Sequence, residues 1–338
     1  METKVEMEGK IREVLKEVVV PGVVRDVVGL NLVREVTFAD GHAKIVFAST
    51  ALHEGAREWI KESVKETIEH MEGVEKISVE FANAKPSELN RIGKIVAVMS
   101  GKGGVGKSLV ASLLAIALRR KGHEVGILDA DITGPSIPRM FGIDGKPEGN
   151  EAEILPVCSR TGIEIMSINL LLPSEDEAVI WRGPLISKVI TQFGQDVLWG
   201  SLDYLIVDLP PGTADAPLTV MQSFPISGVI IVYTPQDLVE MIVKKAVNMA
   251  KTMKKPVLGV VENMSFFYVP ELDKRIEIFG PSRGEKMAHA AQAPLIGKLP
   301  LDPELTTLCD RGDIERYSGD FMEGLDGSLT RALAAAGT

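Results

Sequence analysis

One octapeptide constrains this chain more than any other segment: Gly101, Lys102, Gly103, Gly104, Val105, Gly106, Lys107 and Ser108 in succession. It stands between a Val/Ile-rich run, Ile95–Met99, and an apolar stretch of helical character starting near Leu109. The spacing GxxxxGK[ST] is that of a phosphate-binding loop. Glycines let the backbone turn tightly enough for several N–H groups to converge on phosphate oxygens. The helix that follows adds the partial positive charge of its N-terminus. In this reading Lys107 reaches the β and γ phosphates and the Ser108 hydroxyl ligates Mg²⁺. Gly101, Gly103 and Gly106 also satisfy GxGxxG, with Asp129 about 23 residues on, where a dinucleotide fold places its ribose-binding acid. Lys107-Ser108 has no role in that fold and a defined one in a nucleoside triphosphatase, so ATP with Mg²⁺ is the expected ligand.

The pattern around the loop supplies the remaining parts. Seven short Val/Ile-rich runs alternate with helical segments from Lys94 onward: Ile95–Met99, Val125–Asp129, Ile163–Ser167, Tyr204–Asp208, Val229–Tyr233, Val257–Glu262 and Leu295–Leu299. Runs that are apolar at consecutive positions suit strands buried on both faces of a parallel sheet. The alternation predicts a doubly wound α/β domain with its ligand at the carboxyl ends of the strands. Asp208 closes one of these strands and is placed to join the Mg²⁺ shell; Gly212, in the DLPPG that follows, offers a backbone N–H to the γ-phosphate. Asp129 and Asp131 close another, where a carboxylate can orient the attacking water, a solvated loop acid being the alternative.

Ahead of this lies a smaller unit. Ile11, Leu15 and Val18 recur at helical spacing over residues 5–19, and Pro21-Gly22 stops that helix. Two strand-like runs, Leu30–Phe38 and His42–Ala48, flank Asp40-Gly41, a strong hairpin signal. Ile60, Val64, Ile68 and Met71 mark a second helix, and Val74–Phe81 a third strand. The order α-β-β-α-β predicts a two-layer α/β domain over residues 1–82, a linker over 83–92, and the phosphate-loop domain over 93–338.

Composition narrows the function. Thirty-seven basic against 47 acidic residues leave a net charge of −10, which argues against broad nucleic-acid binding. The longest apolar run, Leu109–Leu118, is half of what a bilayer crossing needs, and the start METKVEMEGK lacks the basic and apolar regions of a signal peptide. The expectation is a cytoplasmic protein without membrane or nucleic-acid partners. Only two cysteines occur, Cys158 and Cys309, with no CxxC.

KGGVGKS, with Lys102 ahead of the usual lysine, resembles the deviant phosphate loop of the MinD, ArsA and nitrogenase-iron-protein ATPases. LDADITGPSIPRMFG, VIWRGPLISKVITQF, WGSLDYLIVDLPPGTADAPLT and GVVENMS are similar, more narrowly, to the Mrp/ApbC branch of iron–sulfur cluster carrier ATPases, over about Lys94 to Asp310. GLNLVREVTF and the α-β-β-α-β order resemble the small iron–sulfur-assembly domain fused to many Mrp proteins. The resemblance implies a homodimer that hydrolyses ATP slowly and works with iron–sulfur assembly or client proteins. By the same resemblance Lys102 reaches the partner protomer's nucleotide, Asp131 activates water, Asp208 joins the metal shell, and Asn263 recognises adenine. Asn263 also suits a plain strand-end turn.

The chain departs from that pattern at the cargo. The carriers place CPxC shortly after ENMS; here Val269 and Leu272 occupy the cysteine positions around Pro270. Thiolates are the usual cluster ligands, and neither residue can donate, so no iron–sulfur ligand is assigned. The small domain's cysteine after its second strand is replaced within Ser49-Thr50-Ala51-Leu52-His53, and its acidic turn by Val20-Pro21-Gly22. Cys158 and Cys309 lie outside any ligand motif, and His42, His53, His70, His123 and His289 show no metal spacing. Two readings stand. One is a dimeric ATPase in iron–sulfur cluster carriage or assembly. The other is a cluster-free ATP-dependent dimer switch that binds and releases a protein partner, with Val269 and Leu272 at an apolar seam. A MinD-like membrane positioner is disfavoured because the tail DGSLTRALAAAGT carries one basic residue.

Overall fold

The computed structural model describes residues 4–131, 134, 136–150, 153–171, 183–213, 215–236 and 239–336. Parts of three of the family-like blocks, at Ile132, Thr133, Pro135, Val179–Arg182 and Ala214, lie outside the described residues. The chain divides into two compact units. The first comprises Met1–Ile92, Pro147–Cys158 and Gln192–Leu202; the second comprises Gly93–Lys146, Ser159–Thr191 and Asp203–Thr338.

The first unit runs α1 (Lys4–Val14), β1 (Val33–Ala39), β2 (His42–Ala48), α2 (Glu54–Ile68), β3 (Lys76–Ala82) and the short α3 (Pro86–Leu89). The hairpin predicted at Asp40-Gly41 forms because both residues take positive φ, 48° and 72°, the conformation a tight two-residue β-turn requires. β2 then pairs in parallel with β3 in an unbroken register from His42↔Lys76 to Ala48↔Ala82. Helix α2 starts where the His53 ring nitrogen accepts from Ala56 N at 3.1 Å, and its Ile60, Val64 and Ile68 are fully buried. Met71, the fourth residue of that pattern, lies beyond the helix and packs against the same core. That core also takes Leu155 and Leu198 from the two later excursions of the chain. The stretch Pro86–Leu89 is helical with Pro86 and Leu89 buried.

Strand β4 (Arg91–Met99) leads into the second unit. Along the chain there follow α4 (Lys107–Arg120), β5 (Val125–Asp129), α5 (Ile137–Met140), β6 (Glu148–Asn150), β7 (Glu153–Leu155), β8 (Val157–Cys158), β9 (Glu164–Ser167), α6 (Gly183–Asp196), β10 (Ser201–Asp208), α7 (Asp215–Ser223), β11 (Gly228–Tyr233) and α8 (Val239–Thr252), of which β6, β7 and β8 belong to the first unit. The chain ends with β12 (Val257–Glu262), β13 (Phe267–Val269), β14 (Lys274–Ile276), α9 (Gly284–Ala291), β15 (Leu295–Lys298), α10 (Pro303–Asp310) and α11 (Phe321–Ala336). Within the second unit the sheet order is β15-β12-β11-β4-β10-β5-β9, which uses each of the seven predicted strands. The pairs β10–β5, β5–β9, β11–β4, β11–β12 and β12–β15 are all parallel. This is the doubly wound α/β sheet expected. Helix α4 is buried nearly all round, from Val110 to Leu118, which explains why its apolar run has no polar face. Among the described residues no helix is long and apolar enough to cross a membrane.

Candidate functional site

The site is built at the carboxyl ends of the parallel strands, because the register there aligns their last residues. Asp208 pairs with Asp129 across β10 and β5, and Asp129 pairs with Ser167 across β5 and β9. The loop after β4 reverses through Gly104 and Gly106 at φ +74° and +77°, a left-handed conformation that L side chains rarely adopt. A Cβ on Gly106 would collide with Asn263 Nδ2. Three groups hold the loop. Ser100 Oγ donates to Lys102 O at 2.9 Å, Gly212 N donates to Ser100 O at 3.0 Å, and Asn263 Nδ2 donates to Val105 O at 2.8 Å.

Lys107, at the head of α4, is 6% exposed. Its Nζ lies 2.7 Å from Asp208 Oδ1 and 3.5 Å from Asp131 Oδ2. The Ser108 hydroxyl donates to Asp208 Oδ2 at 2.5 Å. Asp129, fully buried, accepts from Asp131 N at 3.2 Å, Ile137 N at 3.4 Å and Ser167 Oγ at 3.2 Å. Burial, then the neighbouring Asp208 carboxylate, pushes the Asp129 carboxyl up to about 8, with Lys107 opposing. Burial also raises Asp208, and again Lys107 opposes. Three carboxyl groups share one ammonium, so the corner has room for further positive charge. Its hard oxygen donors, the Ser108 hydroxyl and the Asp208 carboxylate, fit Mg²⁺.

A family model described as NUBPL iron-transfer P-loop NTPase matches residues 91–323. The chain belongs to this iron-transfer P-loop NTPase family. A second model, described as iron-sulfur cluster assembly protein, matches residues 8–81. Two relatives, each named iron-sulfur cluster carrier protein, come from Clostridium perfringens and Synechocystis. The first is 48% identical over 234 residues, covering 67% of this chain and 82% of its own. The second is 39% identical over 315 residues and covers 88% of each. The solved structure of a nucleotide-binding protein from Archaeoglobus fulgidus, in complex with ADP, is 46% identical. It superposes with a TM-score of 0.62 over 69% of this chain and 91% of that one.

Within this chain the residues singled out from the sequence fall into three groups. Gly101, Gly103, Gly104, Val105, Gly106, Lys107, Ser108, Asp129, Asp131, Asp208, Gly212 and Asn263 surround or brace one corner. Lys102 stands apart from the carboxylates, its Nζ donating to Gln236 Oε1. Val269 and Leu272 belong to another feature, the antiparallel β13–β14 hairpin; Val269 ends β13 and Leu272 is 62% exposed on the turn beyond it. Asn263 is almost fully buried, and its Oδ1 accepts from Met264 N at 2.9 Å.

Sequence reasoning missed Ser100, Ser167 and Gln236. Ser100 and Ser167 had a signal, since each ends or directly follows a predicted strand at the ligand-bearing edge. Gln236 had none. In the first unit, the Ser49 hydroxyl donates to Asn83 Oδ1 at 3.0 Å and Thr50 Oγ1 donates to Ala84 O, so this segment is tied to the chain beyond β3. Cys309, in α10, has its thiol pushed up to about 11 by burial and then by Asp310. Among the described residues no group of three or more His, Cys, Asp or Glu is arranged to hold a metal ion.

Proposed function

We propose that this chain is an ATP-hydrolysing homodimer that acts in iron–sulfur cluster carriage or assembly. The observation that carries the hydrolytic part is the Lys107–Asp208–Ser108 triangle at the mouth of the glycine loop. The names of the Clostridium and Synechocystis relatives support the iron–sulfur part.

The loop N–H groups and Lys107 bind the β and γ phosphates, exchanging the ammonium's carboxylate contacts for phosphate oxygens. Ser108 and Asp208 hold Mg²⁺, which when bound neutralises developing phosphate charge. Asp131 orients the water whose oxygen bonds to the γ-phosphorus as the bond to the β–γ bridging oxygen breaks, yielding ADP and phosphate. The water proton leaves toward Asp131 or the phosphate. Asp129 shapes this loop through its three hydrogen bonds. Lys102 acts on the partner protomer's nucleotide after releasing Gln236. Gly212 responds to the γ-phosphate, and Asn263 bonds adenine or braces Val105.

A second reading is favoured by a specific observation. The hairpin bears Tyr268, Leu272 and Ile276, followed by Ile278 and Phe279, all exposed, and Val269 and Leu272 offer no metal donor. A cluster does not fit these residues. The nucleotide engine then drives a protein–protein contact at this apolar surface, with the first unit as adaptor.

Two measurements on the full chain test the proposal. Lys102→Ala should lower ATP turnover about 10²-fold or more while leaving ATP affinity within a few-fold; wild-type turnover would refute the trans role. Anaerobic reconstitution with iron and sulfide separates the two readings. A stable, stoichiometric visible chromophore sinks the cluster-free reading, and its absence restricts the iron–sulfur role to an apo-protein one.

A further inference from the structure

The five arginines of residues 1–92 are used in two different ways. Arg25 donates to Gly29 O and Ser201 O at 2.8 and 2.9 Å, and Arg57 donates to Leu52 O at 3.0 Å. Both are ties within the fold. The other three, Arg12, Arg34 and Arg91, line a single cavity of about 490 Å³. They arrive from the last turn of α1, the start of β1 and the first residue of β4. This convergence occurs in a segment where 17 acidic side chains outnumber 13 basic ones.

The cavity contains little that answers their charge. Glu88 is its one acidic lining residue, 3.9 Å from Arg34 at the outer limit of an ion pair. Neither the Arg12 nor the Arg91 guanidinium has a hydrogen bond or ion pair among the described residues. Val33 and Leu89, both buried, contribute apolar lining. Asn31, at φ +55°, fixes the wall by donating its amide to Leu89 O at 2.6 Å. Arg12, Arg34 and Arg91 are exposed around this open depression, and three like charges meeting there repel one another and attract an anion. A helix surface that needed arginine only for solubility would not require residues 12, 34 and 91 to meet.

We propose that this cavity is an anion site of the first unit, taking a small molecule with two or more negatively charged oxygens, as phosphate or carboxylate. Three guanidiniums and one carboxylate leave a lining charge of about +2, which a dianion balances. Each guanidinium presents paired N–H groups that match two oxygens of one phosphate or carboxylate group. A monoanion answers one fork and leaves the other two opposed. The site uses none of the residues of the ATP corner, so it stands or falls apart from the proposal above.

The test is an NMR titration of the full chain at low ionic strength, following backbone amides, with inorganic phosphate and, in parallel, succinate. Wild type should show saturable shifts at residues 12, 31–34 and 88–91. These should persist in Lys107→Ala, which disables the glycine-loop site, and weaken tenfold or more in Arg12→Gln/Arg91→Gln, as loss of two charged hydrogen-bonding partners implies. ADP affinity of the double variant should stay at the wild-type value. Tighter phosphate binding assigns a phosphorylated ligand, and tighter succinate binding a dicarboxylate. The proposal is overturned if neither probe gives saturable shifts at these residues, or if the shifts vanish in Lys107→Ala and survive in the arginine variant. Should the double variant melt early, Arg34→Lys serves instead: it keeps the charge, removes the fork, and should still weaken binding measurably.

Discussion

The glycine loop and the β13–β14 hairpin are both excursions from the same parallel sheet, and they are built on opposite principles. The loop corner buries its polar groups and pairs them. Lys107, Asp129 and Asp208 are nearly or fully inaccessible, and each has named partners within 3.5 Å. The hairpin does the reverse, exposing Leu272, Ile276 and Tyr268 while its polar contacts are few and superficial, such as Tyr268 Oη donating to Asp273 Oδ1 at 2.9 Å. A buried, mutually satisfied cluster costs a great deal to disturb and is shaped for one ligand. Exposed apolar surface gains free energy only when something covers it. One excursion satisfies its polar groups from within the chain, and the other leaves apolar surface that only burial would stabilise.

The largest effect expected from this contrast is at Lys107. Among the described residues Lys107 is the cation that these three carboxyl groups share, and Lys107→Ala leaves buried Asp208 with the Ser108 hydroxyl but no countercharge. ATP affinity, by calorimetry, should fall at least 10²-fold, and removal of one partner from a buried pair costs about 3–5 kcal/mol. ATP binding within tenfold of wild type would show that the corner does not hold the triphosphate. The hairpin variants should leave that affinity untouched. Leu272→Asp and Ile276→Asp are both solvent-facing changes that should not alter melting. Each removes an apolar group worth roughly 1.5–3 kcal/mol when covered, so ATP-dependent self-association, by sedimentation velocity, should weaken about tenfold or more. Unchanged association would move the dimer seam elsewhere and leave the hairpin for another protein.

The same contrast explains what the sequence made legible. Elements of the sheet are spelled locally: β5 and β12 begin and end where the apolar runs do, because burial on both faces demands unbroken Val, Ile and Leu. The glycine loop is likewise local, since its spacing is the geometry of the phosphates. Gln236 is different. It holds Lys102 across 134 residues of chain, and a glutamine past the end of a strand carries no mark of that. Ser167 is intermediate, because it becomes meaningful only once β9 is known to lie beside β5. Leu155 and Leu198 belong to the first unit's core, although they lie far along the chain among residues typical of the larger sheet. Periodicity says that a side chain will be buried, and says nothing of which core will take it. The arginine cavity fails to announce itself for the same reason: residues 12, 34 and 91 are unremarkable until the fold brings them together.

The smallest effect separates the two excursions by pH. Asp129 has an ordinary carboxyl value of 3.8 and is held at about 8 in the fold by burial and by Asp208. Between those values the folded protein binds a proton that the unfolded chain has released. Stability therefore falls as pH rises across this window; the contribution is full below about 4 and is lost by the time pH passes about 8. Thermal melts in EDTA without nucleotide should show Tm declining from pH 5.5 to 8.5. Asp129→Asn keeps an amide oxygen that can still accept from Asp131 N, turns an amide N–H toward the Ser167 hydroxyl, which can accept it, and has no proton to lose. It should flatten the decline by a few degrees, whereas Leu272→Asp should leave the slope as it is. An Asp129→Asn slope equal to wild type would mean that Asp129 is ionised in the empty corner. Lys107 would then be balancing three negative charges, and the demand for a divalent cation beside Ser108 and Asp208 would be stronger still.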